Sequence, residues 1–178
     1  MISKIKMTGH VTAKCYDQSV LTKEDLAYNQ KLVETGGDRS KLRLGNLKWK
    51  DEKDNLITYE GFEVIGQILT GTYGSTGEIT HCALGTSTTA PSTSDTQLGT
   101  EVYRNAVASS AVIDNVTDIT AYYSEAETSG TYEAYGTFID GTGTADSGKM
   151  WTHVLTGGWT KSSSEALVIS VTYTMTSS

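Results

Sequence analysis

The chain reads as mainly β, an antiparallel β-sandwich of jelly-roll or Ig-like kind that carries one or two short helices. Three observations carry this reading. Apolar residues fall at every second position in several separate segments, which is the signature of a strand with one buried face. Clusters of Gly, Ser, Thr, Asn and Asp recur between those segments, at 71–77, 85–96, 114–115, 129–130, 140–148 and 157–158, as turns and end loops require. Finally, the 178 residues contain a single proline and no heptad or internal repeat, which argues against a fibrous shaft. A chain of this length suits one domain, able to hide about 70% of its unfolded surface.

Taken in order, Val11, Ala13 and Cys15 alternate with Thr12 and Lys14 and predict the first strand. Thr22 to Glu34 predicts a helix: Thr22 and Asp25 make a variant capping box, Leu21 and Leu26 stand where a hydrophobic staple would, and Gly36-Gly37 ends it. Its apolar face, Leu26, Leu32 and Val33, is thin, so it needs the domain or a neighbouring subunit to lie on. Thr58 caps a second helix over 58–70, with Phe62, Ile65, Ile68 and Leu69 at spacings of three and four, packed on the sheet. A short half-buried strand from Ile79 runs into a long Ser/Thr loop. Ile119, Ala121 and Tyr123, then Trp151, His153 and Leu155, predict two further strands. Leu167 to Met175 is the cleanest alternation, with Val168, Ser170, Thr172 and Thr174 on its other face.

Charge narrows the partners. The net charge is −7, and it is unevenly divided: eleven Lys/Arg against ten Asp/Glu through Gly71, then three against eleven. An acidic surface repels phosphates and no basic groove with interleaved aromatics is present, so nucleic acid is not an expected partner. No apolar run approaches the roughly 18 residues that span a bilayer, and Met1-Ile-Ser-Lys-Ile-Lys6 lacks a secretory apolar segment, so no membrane association is expected. Cys15 and Cys82 read as small buried thiols.

The search for reactive groups yields little, and no catalytic residue, cofactor or metal is expected. His10, His81 and His153 sit in separate strand patterns without ligand spacing to a second His or carboxylate. His81 and His153 are placed to face one another across the core if their strands are apposed. No Gly-x-Ser-x-Gly elbow occurs, and the Gly-rich stretches at 71–77 and 141–143 lack what phosphate binding needs. Asp140 to Asp146 spaces oxygens like a calcium loop but lacks the distal glutamate, so a hairpin turn is the expected reading. Trp49, Tyr122, Tyr132, Tyr135 and Trp159 are candidates for subunit or surface contact, since such rings combine apolar area with a polar edge.

The stretch Ile79-Thr-His-Cys-Ala-Leu-Gly-Thr-Ser-Thr-Thr-Ala-Pro-Ser-Thr-Ser-Asp-Thr-Gln-Leu-Gly-Thr-Glu101 resembles I-x-H-x-A-L-G-T-G-T-T-A-P-x-x-x-D-T-x-L-x-x-E-V, a segment of tail-associated and other minor structural proteins of double-stranded DNA bacteriophages. Leu47-Lys-Trp-Lys-Asp-Glu52, Asn55 to Gly61, Gly130 to Ala134, Gly148 to Met150 and Thr160 to Met175 are similar to other segments of those proteins. Two departures stand out: Glu133-Ala-Tyr-Gly-Thr-Phe138 replaces E-A-G-L-F, and residues 17–46 form an inserted arm in the first strand pair. The resemblance implies a non-enzymatic virion protein, assembled in the host cytoplasm with other phage virion proteins into the tail, neck or a tail-attached part, as a homo-oligomer. Its alternatives are a capsid decoration or head-fibre protein and a receptor-binding module that contacts host surface glycans.

Overall fold

Strict alternation along Leu167–Met175 places Leu167, Ile169, Val171 and Tyr173 in the interior, and the strand they belong to organises the molecule. The computed structural model describes residues 5–38 and 41–177. Met1–Lys4, Arg39, Ser40 and Ser178 lie outside the described residues, including most of the amino-terminal stretch read above and two positions of the inserted arm. Nine strands and two helices follow in order: β1 (Ile5–Asp17), α1 (Lys23–Glu34), β2 (Asn46–Ile57), α2 (Tyr59–Leu69), β3 (Ile79–Gly85), β4 (Glu101–Ala106), β5 (Ser109–Ile113), β6 (Val116–Tyr123), β7 (Gly130–Ile139), β8 (Lys149–Lys161) and β9 (Glu165–Ser177). Among the described residues no helix is long and apolar enough to cross a membrane.

All strand pairs are antiparallel, in one sheet of order β4-β3-β7-β8-β2-β1-β9-β6-β5. The sheet curls back on itself through two corners. At one, β2 pairs with β1 over most of its length and with β8 only through Leu56↔His153 and Ile57↔Thr152. At the other, Val107 N–H donates to Thr80 O at 2.8 Å and Ala108 N–H to Thr120 O at 2.7 Å, so consecutive residues reach β3 and β6 near opposite ends of the strand order. The two-layered arrangement expected from the sequence is thus made by one sheet with two facing halves. Val11, Ala13, Ile119, Ala121 and Ile169 of one half pack against Leu84, Tyr135, Val154 and Trp159 of the other. Each large side chain so buried contributes about 1.5–3 kcal/mol.

Several hydroxyl groups inside this core find partners across it. Tyr123 Oη donates to Cys82 O at 3.0 Å, and Thr137, Thr152 and Tyr173 share hydroxyl hydrogen bonds of 2.7–3.2 Å.

α2 packs against the core at one end of the sheet. Its N-cap Thr58 accepts from Gly61 N–H at 3.2 Å and donates to Met150 O at 2.5 Å, so the cap also fastens the helix to β8. Gly61 is needed where it stands: a Cβ there would lie 2.4 Å from Trp151 Cε3. The expected capping box of α1 forms, with Thr22 and Asp25 exchanging hydrogen bonds. Gly36, at φ 64°, and the Gly37 N–H bond to Leu32 O close the helix in a Schellman turn. The only buried residue on α1 is Asn29, which exchanges bonds of 2.7 and 2.8 Å with the backbone of Arg43. Arg43 also pairs with Asp25 and covers the Tyr28 ring, so the segment between β1 and β2 is braced by contacts within itself and lies over Tyr122 on the outer face of β6.

Candidate functional site

The Ser/Thr loop that carries the proline covers a second, smaller core. Along β3 the inner face holds Cys82 and Leu84, leaving Ala83 on the outer face. There Ala83, Ala134, Phe138 and Met150 gather around Leu98 of the loop, which is 1% exposed. The sheet supplies a pit for it: a Cβ on Gly85 would lie 3.1 Å from Leu98, and one on Gly136 would lie 3.4 Å from it. Glycine at these two positions makes the room that a leucine fills.

Further bonds pin the loop. Asp95 Oδ2 lies 2.7 Å from Nδ1 of buried His153 on β8, which assigns the ring proton to Nδ1. Thr93 O accepts from Tyr59 N–H at 2.7 Å, and Thr86 N–H reaches Thr100 O at 3.1 Å. His153 Nε2, the nitrogen that would take a proton from a nucleophile, is buried and meets no hydroxyl among the described residues. The pair is therefore built to hold the loop.

Beside it, Arg104 and Glu101 form a pair whose side chains are both 2% exposed. The bonds are bidentate at 2.7 Å each, and the guanidinium sits 4.2 Å above the Phe138 ring. Its remaining nitrogen donates to Ser147 O at 2.7 Å, fixing the loop between β7 and β8. That loop starts at Asp140, whose carboxylate accepts from Tyr73 Oη, Thr76 Oγ1 and Gly77 N–H. Burial raises the Asp140 carboxyl, but these donors outweigh it and hold its pKa below the ordinary value.

His81 shares the outer face with His153, so the two do not meet across the core. His81 bonds Thr80 Oγ1 at 3.1 Å, and burial, followed by the Arg104 charge, lowers its pKa. His10 is exposed and bonds Asp54 at 3.2 Å. Among the described residues, no three of His, Cys, Asp and Glu come together as a metal set.

The five rings proposed for surface contact are placed differently from that expectation. Tyr132, Tyr135 and Trp159 are buried in the interior of the curled sheet, while Tyr122, on the outer face of β6 beside Val168, is buried under the segment between β1 and β2. Trp49 alone is half-buried. It lies 6.3 Å from Trp159 and donates to Thr160 O, while Trp159 Nε1 donates to Asp51 Oδ2 at 2.8 Å. The two indoles bridge the wedge where β2 and β8 diverge.

At the far end of that wedge, buried Glu165 accepts from Ser162 N–H and pairs with Lys48. Burial alone would raise its pKa, yet Lys48 and the Ser162 N–H together bring it below the ordinary 4.5. The neighbouring Cys15 thiol is pushed up to about 12, by burial first and Glu165 second, and is inert at neutral pH. A carboxylate with a depressed folded pKa adds stability that is fully present above its unfolded pKa and is lost as pH falls through the folded one. Thermal unfolding followed from pH 7 downward should therefore show a loss below about pH 4.5 that is smaller in Glu165→Gln; equal slopes would remove Glu165 from the acid response.

No protein-family model matches this chain, and neither a curated protein nor a solved structure matches it.

Proposed function

We propose that this chain is a non-enzymatic virion structural protein of a double-stranded DNA bacteriophage, built into the tail, neck or a tail-attached part through protein–protein contacts. The sequence resemblance supports the class of particle. One observation supports the mode of action: an apolar surface at the α2 end of the sheet. Phe62 and Ile68 are each exposed by about half, Tyr59 by 65% and Leu69 by 81%. Ile5 and Met175, near the paired ends of β1 and β9, add to it. Between helix and sheet lies an apolar cleft of about 170 Å³ lined by Met7, Ile65, Ile68, Ile79, Trp151 and Met175. Exposed apolar surface around such a cleft marks contact with another protein. The glycan-binding alternative loses support here, since four of the five candidate rings are buried.

The test is a Phe62→Ser/Leu69→Ser variant supplied to phage lacking the wild-type gene. Its circular dichroism and melting temperature should match wild type while its recovery on gradient-purified particles falls at least tenfold. Full recovery would remove the α2 surface from assembly.

The segment between β1 and β2 offers a second attachment element. Because Asp17 and Asn46 are paired, residues 18–45 can be replaced by a two-residue Asn-Gly turn that suits a tight hairpin. This variant should keep a single cooperative unfolding transition and lose particle recovery. A broadened or absent transition would show that the segment belongs to the core.

A further inference from the structure

The cleft beside α2 combines apolar walls with an acidic rim. Ile65 and Ile68 on the helix and Met7, Ile79 and Met175 on the sheet enclose about 170 Å³. An apolar cavity of that order admits a group the size of benzene, and the two methionines can adjust to more than one shape. There is room for one large side chain.

Around this opening stand three carboxylates. Glu63 precedes Val64 on α2, Glu78 lies between Gly77 and Ile79, and Asp140 follows Ile139 and accepts from Gly77 N–H at 3.2 Å. Glu63 and Glu78 are exposed. Among the described residues none of the three forms an ion pair. The described cations nearby are directed elsewhere. After Gly71 the chain has only Arg104, Lys149 and Lys161, committed to Glu101, to Glu60 and to the Thr128 carbonyl. Lys6 is next to Met7 in β1 and therefore belongs to the opposite face of that strand.

We propose that this cleft takes up one large apolar side chain, leucine, methionine or phenylalanine, from a segment of another protein in which lysine or arginine flanks that residue. This rests on reading the α2 surface as a contact surface, and it names the chemistry of what is contacted. Charge selects the occupant. A buried anchor supplies the affinity, while Glu63 and Glu78 favour a cation on either side of it, the complementarity that speeds encounter and fixes register. A second copy is the wrong occupant, because a two-fold contact here sets these carboxylates against their own mates in a chain of net −7. The same carboxylates repel phosphates, which disfavours an anionic bilayer as well as nucleic acid.

A random peptide library displayed on yeast and selected on the full-length chain tests both halves of the claim. Enriched peptides should carry one large apolar residue with at least two lysines or arginines around it. Their affinity should fall at least tenfold in Glu63→Lys/Glu78→Lys and in Ile68→Ser, with circular dichroism unchanged. It should stay within twofold in Glu24→Lys/Glu34→Lys, which makes the same change of net charge on α1. Selection of acidic or uncharged peptides, no selection at all, or equal losses in the two charge variants would overturn the proposal. So would self-association that Ile68→Ser abolishes, or co-sedimentation with phosphatidylglycerol vesicles. Peptide binding that holds while Phe62→Ser/Leu69→Ser is fully recovered on particles would keep this site and remove its part in assembly. Particle loss in that variant without any peptide selection would keep the assembly surface and remove this occupant.

Discussion

Replacing Arg104 with methionine should lower the unfolding free energy by about 3–5 kcal/mol, because it strands Glu101 as an uncompensated charge in a site that is 2% exposed. The guanidinium is held by its carboxylate, its contact with Phe138 and its bond to Ser147 O, and all are lost together. The diagnostic is the double variant Glu101→Leu/Arg104→Met. Removing both charges at once replaces a desolvated pair by apolar volume, which is often neutral, so it should recover most of what the single variant loses. Urea unfolding of the two single variants and the double one gives the coupling directly. Additive losses would mean that the pair is solvated in solution and does not act as a unit.

Leu98→Ala should cost about 2–5 kcal/mol, the range for a fully buried leucine whose cavity cannot collapse. Most of the surrounding groups cannot fill the gap: Gly85 and Gly136 line the pit, Ala83 and Ala134 have nothing to move into it, and only Phe138 and Met150 can lean towards it. Because Leu98 is the apolar anchor of residues 86–100, the same change should loosen the loop and speed limited proteolysis within it several-fold. Unaltered stability and proteolysis would show that Asp95–His153 and the backbone bonds suffice to hold the loop down.

The fold was legible where a strand has one wet face and one dry face. β9 is the clear case: Val168, Ser170, Thr172 and Thr174 stay partly exposed while their neighbours are buried. β7 hides its period because from Ala134 to Ile139 every residue is buried, with Tyr135 facing the main core and Phe138 the smaller one. β5 is hidden for the opposite reason, being exposed on both faces. Both helices were readable from their caps, since Thr22, Asp25 and Thr58 act within three residues of themselves. Long-range partners leave no such local trace. Asp95 stood in the segment that carries the resemblance, but its bond to His153 spans 58 positions, and only the strand order brings them together. The aromatic residues show a different limit: composition reports how many rings there are, and topology decides that Tyr132, Tyr135 and Trp159 fill the interior while Tyr122 lies under the segment between β1 and β2.

The proposed role requires this chain to work as a part of a particle through its surface. Quantitative mass spectrometry of gradient-purified virions, washed at high salt, measures that directly. A fixed stoichiometry to the major capsid protein that survives the wash is expected, with a few copies to a few tens for a tail or neck position. Protein found only in the soluble lysate, with none bound to particles, would contradict it.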